Sequence, residues 1–141
     1  MEATVELIEG VSFRGTAGSG HSVIMDGPPD FGGKDLGARP MEMLLLGLGG
    51  CSAFDVVHIL RKSRQDIAGC RVKLDADRAE TVPKVFTRIH LHFEISGRNV
   101  SAAAVERAIS LSSEKYCSAS VMLGMTATIT HGYAIEDAGP A

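Results

Sequence analysis

The sequence has no run of lysine or arginine, no closely spaced cysteines and no basic-then-apolar leader. Each absence narrows what the protein can be. With 14 basic against 17 acidic residues, nothing supplies the positive field that a phosphate backbone requires, so nucleic acid is a poor candidate partner. Three cysteines do not make a disulfide framework, and any disulfide is expected to be transient and chemical. The opening residues, MEATVELIEG, are acidic and alternating where a secretory signal would be basic and then apolar, which places the expected location in the cytoplasm. Neither an internal repeat nor a low-complexity segment is present. At 141 residues and 45% hydrophobic composition, a single domain over residues 1–141 with its own core is expected.

What is present reads as α+β. Thr4 to Glu9 alternates polar and apolar, as does His21 to Asp26, and the two suit antiparallel N-terminal strands. Residues 27–37 carry two prolines, four glycines and scattered charge, the composition of an exposed loop that covers something or moves. Pro40 suits a first helical turn, and 41–65 contains no further proline, which predicts one long helix. Its first two-thirds, MEMLLLGLGGCSAFDVVHIL, is apolar almost all round and its end is charged, so a buried central helix with a wet C-terminus is expected. Cys70 to Asp77 and Phe86 to Ser96 alternate as an antiparallel pair, with Ile89, Leu91, Phe93 and Ile95 inward. Ser101 is placed as an N-cap for a second long helix reaching about Tyr116, and Thr126 to Glu136 as the strand that closes the sheet. The last five residues, DAGPA, are expected to fray.

The first helix raises two further questions. Its apolar run is about as long as a bilayer core requires, but Glu42, Asp55 and His58 interrupt it and three glycines weaken it, so burial in protein is favoured over a membrane span. A helix of about 25 residues spans roughly 38 Å, longer than a domain of this size is wide. It needs apolar surface beyond its own chain, and an interlocked homodimer is the simplest supply.

Candidate chemistry centres on two cysteines. Cys51 lies in GGCSAFD, within the apolar helix, behind a glycine pair that costs helix stability and so implies a packing or functional reason. Cys117 follows EKY where the second helix exits. Either alone reads equally as a small core residue. Asp55 and His58 fall on the Cys51 face of the helix, as activators of a thiol or, preferred, as structural partners. A metal held by Cys51, His58 and Cys117 is a weaker reading, because no recognised ligand spacing is present. His90 and His92 share a strand face with Arg88 and Glu94, which a solvated polar face explains more simply than zinc. Cys70 begins an inward strand face and reads as core. Met41, Met43, Leu44 and Met122 flank the cysteines, either as ordinary core or as the lining of an adaptable apolar pocket.

PMEMLLLGLGGCSAFDVV and AISLSSEKYCSASVML resemble the two cysteine helices of the OsmC/Ohr family, and the order of elements is similar over nearly the whole chain. The wording is most similar to the YhfA-like branch. The resemblance implies an OsmC-like α+β fold with antiparallel sheets, two long helices and an interlocked homodimer. It also implies a thiol-dependent peroxidase: Cys51 as the attacking thiol, Cys117 as the resolving thiol, an organic hydroperoxide as substrate and an external dithiol as reductant, with no metal or organic cofactor. A thiolate in an apolar helix needs stabilisation. The family's peroxidase branches use an N-terminal arginine held by a glutamate ten positions before the first cysteine. Here that position is Met41, and Glu42 stands one place on, turned away from the Cys51 face of a straight helix. Arg14 and Arg39 are the candidate cations. A competing reading follows from that departure: a non-enzymatic dimeric module on the same fold that binds a small apolar or thiol-reactive ligand.

Overall fold

The computed structural model describes residues 1–139. The chain folds as two compact units, Met1–Leu46 and the remainder from Gly47 onward, taken here in turn.

The first unit is a meander of three antiparallel strands, β1 (Ala3–Glu9), β2 (Ser12–Ala17) and β3 (Ser22–Met25), in that order across the sheet. Every residue of β1 is exposed, including Val5 and Leu7. The loop after β3 is more ordered than its glycines and prolines predict. Asp26 is buried, and its carboxylate accepts the backbone N–H groups of Gly27, Lys34 and Leu36 at 2.8, 3.0 and 3.2 Å. Burial alone would raise the Asp26 pKa, but these three donors and the charge of Arg39 outweigh it and hold the carboxyl below its ordinary 3.8. One carboxylate thus takes the place of a strand partner for a loop that has none.

Helix α1 (Pro40–Lys62) begins at the end of this unit. Pro40 occupies the first turn, and Glu42 reaches back to accept the Arg39 backbone N–H at 2.7 Å, one half of a capping box. The helix stops short of Gln65. Arg64 adopts φ +62°, and the Arg64 and Gln65 amides bond to the carbonyls of Arg61 and Leu60 at 2.9 Å, so the last carbonyls are satisfied by a left-handed turn. Burial is confined to one stripe, Leu48, Gly49, Ser52, Val56 and Leu60, while Leu46 and Phe54 are 61% and 71% exposed. The helix is long and apolar enough to cross a membrane by composition, yet the chain by itself covers only one side of it.

The second unit holds the core. Strands β4 (Asp66–Arg78) and β5 (Phe86–Arg98) pair antiparallel as expected, and β6 (Thr128–Asp137) lies on the other side of β5. That last pairing is parallel, not antiparallel. The stretch joining β5 to β6 is a crossover long enough to carry helices, which is what a parallel neighbour requires. On β5 the inward residues Ile89, Leu91, Phe93 and Ile95 are all at most 1% exposed, and each such side chain contributes about 1.5–3 kcal/mol on burial. Gly49 faces β4 closely: a Cβ there would stand 2.8 Å from a Leu74 methyl, which would have to move aside.

The second long helix is broken. It runs as α2 (Ala102–Leu111), a π-turn over Ser112–Tyr116 and, after Cys117, a short α3 (Ser118–Gly124). Ser101 caps α2, its hydroxyl accepting the Ala104 N–H at 3.2 Å. The Cys117 amide reaches back to the Ser112 carbonyl at 2.8 Å, widening the turn, and Cys117 itself is extended (φ −79°, ψ 103°). Serines at 112 and 113 favour such a break because they hold a helix weakly and bond elsewhere. At the C-terminus the Ala138 amide bonds the Gly97 carbonyl at 2.8 Å, so order extends past Asp137; the final two residues of the expected frayed tail lie outside the described residues.

Candidate functional site

The break in the second helix brings Cys117 against α1. The sulfurs of Cys51 and Cys117 and a carboxylate oxygen of Asp55 all lie within 4.8 Å of one another, and all three cysteines are free thiols. Cys51 and Asp55 are one helical turn apart on α1. Two serine contacts join that face to the π-turn: the Ser112 hydroxyl donates to Asp55 Oδ2 at 3.0 Å, and the Ser52 hydroxyl meets Cys117 Sγ at 3.5 Å. π-turns inside helices recur at functional sites, and here the turn sets where Cys117 points.

The two thiols are not equivalent. Cys117 is fully buried, and burial by itself pushes its thiol up. Donors outweigh that: the Ser52 hydroxyl, the Cys51 thiol, Ser120, and the Ser120 backbone N–H, which reaches the sulfur at 3.4 Å where Cys117 caps α3. The Cys117 thiol is held below its ordinary range. Cys51 is only partly buried and goes the other way, raised by burial, by donating its proton toward Cys117, and by the Cys117 and Asp55 charges, against one Ala119 N–H that lowers it. Of the two, Cys117 is therefore the thiol more readily ionised and Cys51 the one that more readily keeps its proton.

The other expected positions fall as follows. Arg14 is an exposed residue of β2, paired in register with Glu6 and Ile24. The Arg39 guanidinium bonds Asp35 at 2.9 Å and the Gly37 carbonyl at 3.3 Å, and Glu42 is occupied in capping. Neither arginine is among the leading influences on either thiol. Met41 and Met43 are half-buried, Leu44 is exposed, and Met122 is 69% exposed. Asp55 accepts from the neutral Ser112 hydroxyl at 3.0 Å, where a charged partner from a facing element was the expectation. His58 instead stacks on Phe54, rings 6.1 Å apart and 9° from parallel, and so stands outside the thiol cluster. It lines a cavity of about 590 Å³ with Asp55, Ile59, Lys62, Arg107 and Tyr116. Cys70 lies apart, its thiol pushed up by burial. Arg88 bonds Asp75 and Asp77, and Lys73 bonds Glu94, as a solvated strand face would.

Ser52, Ser112 and Ser120 were not singled out from the sequence. Ser52 adjoins Cys51 and was there to be read; the roles of Ser112 and Ser120 depend on a helix break that no periodicity announces.

A dithiol joining a helix of an α+β unit to the break in its crossover defines a class of two-cysteine proteins, and the comparisons with known proteins narrow it. The profile of the OsmC-like protein family matches residues 32–132, and the chain belongs to that family. It is 49% identical to Protein YhfA of Escherichia coli K12 over 135 residues, 96% of this chain and 98% of the relative. A hypothetical protein from Aquifex aeolicus VF5 has the same fold at TM-score 0.86 and 30% identity, covering 98% of this chain and 97% of that one. An organic hydroperoxide resistance protein from Legionella pneumophila superposes at TM-score 0.69 with 13% identity, covering 94% and 95%, which shows a shared fold. In this fold α1 is a core helix, and the chain is soluble.

Proposed function

We propose that the chain is a cytoplasmic, homodimeric thiol peroxidase that reduces small organic hydroperoxides through a Cys51 sulfenic acid and a Cys51–Cys117 disulfide. The observation that carries this reading is the close thiol pair, its sulfurs within 4.8 Å of each other, one only partly buried and the other fully buried among donors. Cys51 meets the hydroperoxide. Its proton passes to the Cys117 thiolate, and the resulting Cys51 thiolate attacks the O–O bond, forming a sulfenic acid and releasing an alkoxide that recovers the proton from Cys117. The Cys117 thiolate then displaces hydroxide from the Cys51 sulfenic acid to give the disulfide. An external dithiol supplies the two electrons that reopen it. In this scheme Cys117 serves as proton carrier as well as resolving thiol, which lessens the demand on Arg14 or Arg39.

Dimerisation is supported by apolar surface that one chain leaves open: Val5 and Leu7 on β1, Leu44, Leu46 and Phe54 on α1, and Met122 on α3 are all exposed. A second copy would also supply walls for a hydroperoxide pocket including Met41 and Met43. The competing reading, a binding module without turnover, draws on the Glu42 cap and the Arg39–Asp35 pair, which engage groups that the family's peroxidase branches direct at the thiol.

The test is thiol counting with peptide mapping. One equivalent of an organic hydroperoxide should remove two thiols per chain and yield a Cys51–Cys117 disulfide that a dithiol reverses. Cys117→Ser should stop at a trappable Cys51 sulfenic acid, Cys51→Ser should form neither, and Cys70→Ser should cycle normally. A disulfide involving Cys70, or no thiol loss at all, would remove the peroxidase reading.

A further inference from the structure

We infer that the reduced protein carries a transition-metal site for Zn²⁺, built from Cys51, Asp55 and Cys117. The three donor atoms lie within 4.8 Å of one another. Around a tetrahedral zinc, with metal–sulfur bonds of about 2.3 Å and a metal–oxygen bond of about 2.0 Å, such atoms stand roughly 3.5–3.8 Å apart. Closure to a metal thus needs a contraction on the order of 1 Å or less, within reach of side-chain rotation. Two thiolates with one carboxylate are a borderline-soft set that suits zinc and excludes magnesium or calcium, which take oxygen.

The surroundings of the three donors match what holds a metal ligand in place. Ser112 donates to Asp55 Oδ2 and fixes the carboxylate, leaving its other oxygen for a cation. The Ser120 amide donates to Cys117 Sγ and the Ser52 hydroxyl lies 3.5 Å from it, placed to donate to a metal-bound sulfur and offset its negative charge. Of the three donors, Asp55 also lines the 590 Å³ cavity, the side from which a cation would enter and a water would take the fourth position. Three protein ligands and one open position are the pattern of a reactive rather than a closed structural zinc. His58, the third ligand weighed from sequence, is displaced by Asp55 because its ring stacks on Phe54.

A metal on both sulfurs prevents them from forming a disulfide, so the metal-bound and disulfide states exclude each other. Metal binding does not depend on the peroxidase reading and is measured without hydroperoxide. The reduced full-length protein, stripped with a chelator, is titrated with Co²⁺ and then with Zn²⁺. One Co²⁺ per chain should bind with a sulfur-to-cobalt charge-transfer band and tetrahedral visible bands, and Zn²⁺ should displace it. Zn²⁺ should shield Cys51 and Cys117 from alkylation while leaving Cys70 as reactive as before. Asp55→Asn should weaken binding by about tenfold or more and Ser112→Ala by about 10–100-fold, whereas His58→Ala should leave affinity unchanged. Cys51→Ser and Cys117→Ser should each lose the charge-transfer band, with circular dichroism confirming that they remain folded. Absence of binding by the reduced protein overturns the site, as does unchanged affinity in Asp55→Asn or protection of Cys70. A protein that binds Zn²⁺ but consumes no hydroperoxide would keep this site and lose the peroxidase.

Discussion

On β5 every second side chain from Ile89 to Ile95 is buried, whereas on β1 no residue is, although both strands alternate apolar with polar residues. The comparison separates pattern from consequence. Alternation makes a strand with an apolar face, but burial requires a surface opposite that face. In the second unit Val56 and Leu60 on α1 and Val105 and Ala108 on α2 are fully buried as well, the apolar surface that such a face requires. The first unit holds itself by other means, through its ladder of backbone bonds and the Asp26 carboxylate that gathers three amides.

The sharpest test of that contrast is to open the buried sheet. Phe93→Ala should cost about 3–5 kcal/mol in urea unfolding, the range for a large aromatic removed from a close-packed core. A loss under about 1 kcal/mol would mean that this face is not the core. The first unit should fail by a different route, acid. Because the folded Asp26 pKa lies below 3.8, its anchoring is complete above that value and is lost as pH falls through the lowered one. Hydrogen exchange at Gly27, Lys34 and Leu36 should rise together in that window, and Asp26→Asn should show the rise already at neutral pH. Ser101→Ala should cost about 1 kcal/mol by unsealing the start of α2. Smallest of all, Leu7→Ser should change the stability of one chain by no more than about 0.5 kcal/mol, as for any exposed position, while weakening self-association measured by sedimentation. If Leu7→Ser instead matched Phe93→Ala at a concentration where the chain is monomeric, the two sheets would not differ as described.

The difference also explains what the sequence disclosed. The β5 face, the α1 start at Pro40 and the Ser101 cap were legible because each depends on neighbours in sequence: alternation, a proline in a first turn, a hydroxyl three residues before the amide it accepts. The family was legible from the two cysteine segments, now matched by the OsmC-like profile and by Protein YhfA. The parallel register of β6 was not, because alternation is the same in either direction. Nor was the break before Cys117, which depends on Ser112 turning to an aspartate on another helix. Asp26 reads from sequence only as the end of the alternating run from His21, since nothing in its sequence surroundings marks the three amides that converge on it. Asp55 was placed on the right face, but which element would meet that face was a tertiary matter.

The parallel pairing of β6 with β5 bears on the order in which the molecule is assembled. Neighbouring strands that run the same way cannot zip from a tight turn, and the long excursion between them must be ordered before its contacts repay the entropy of closing it. Cys117 rides on that excursion, while Cys51 belongs to a helix made far earlier in synthesis. The dithiol is therefore among the last features to form, and a nascent or refolding chain carries two unacquainted thiols until its final strand docks. Pulse alkylation during refolding should find Cys117 open to reagent until that moment and shielded after it; protection arising before β6 pairs would reverse the order.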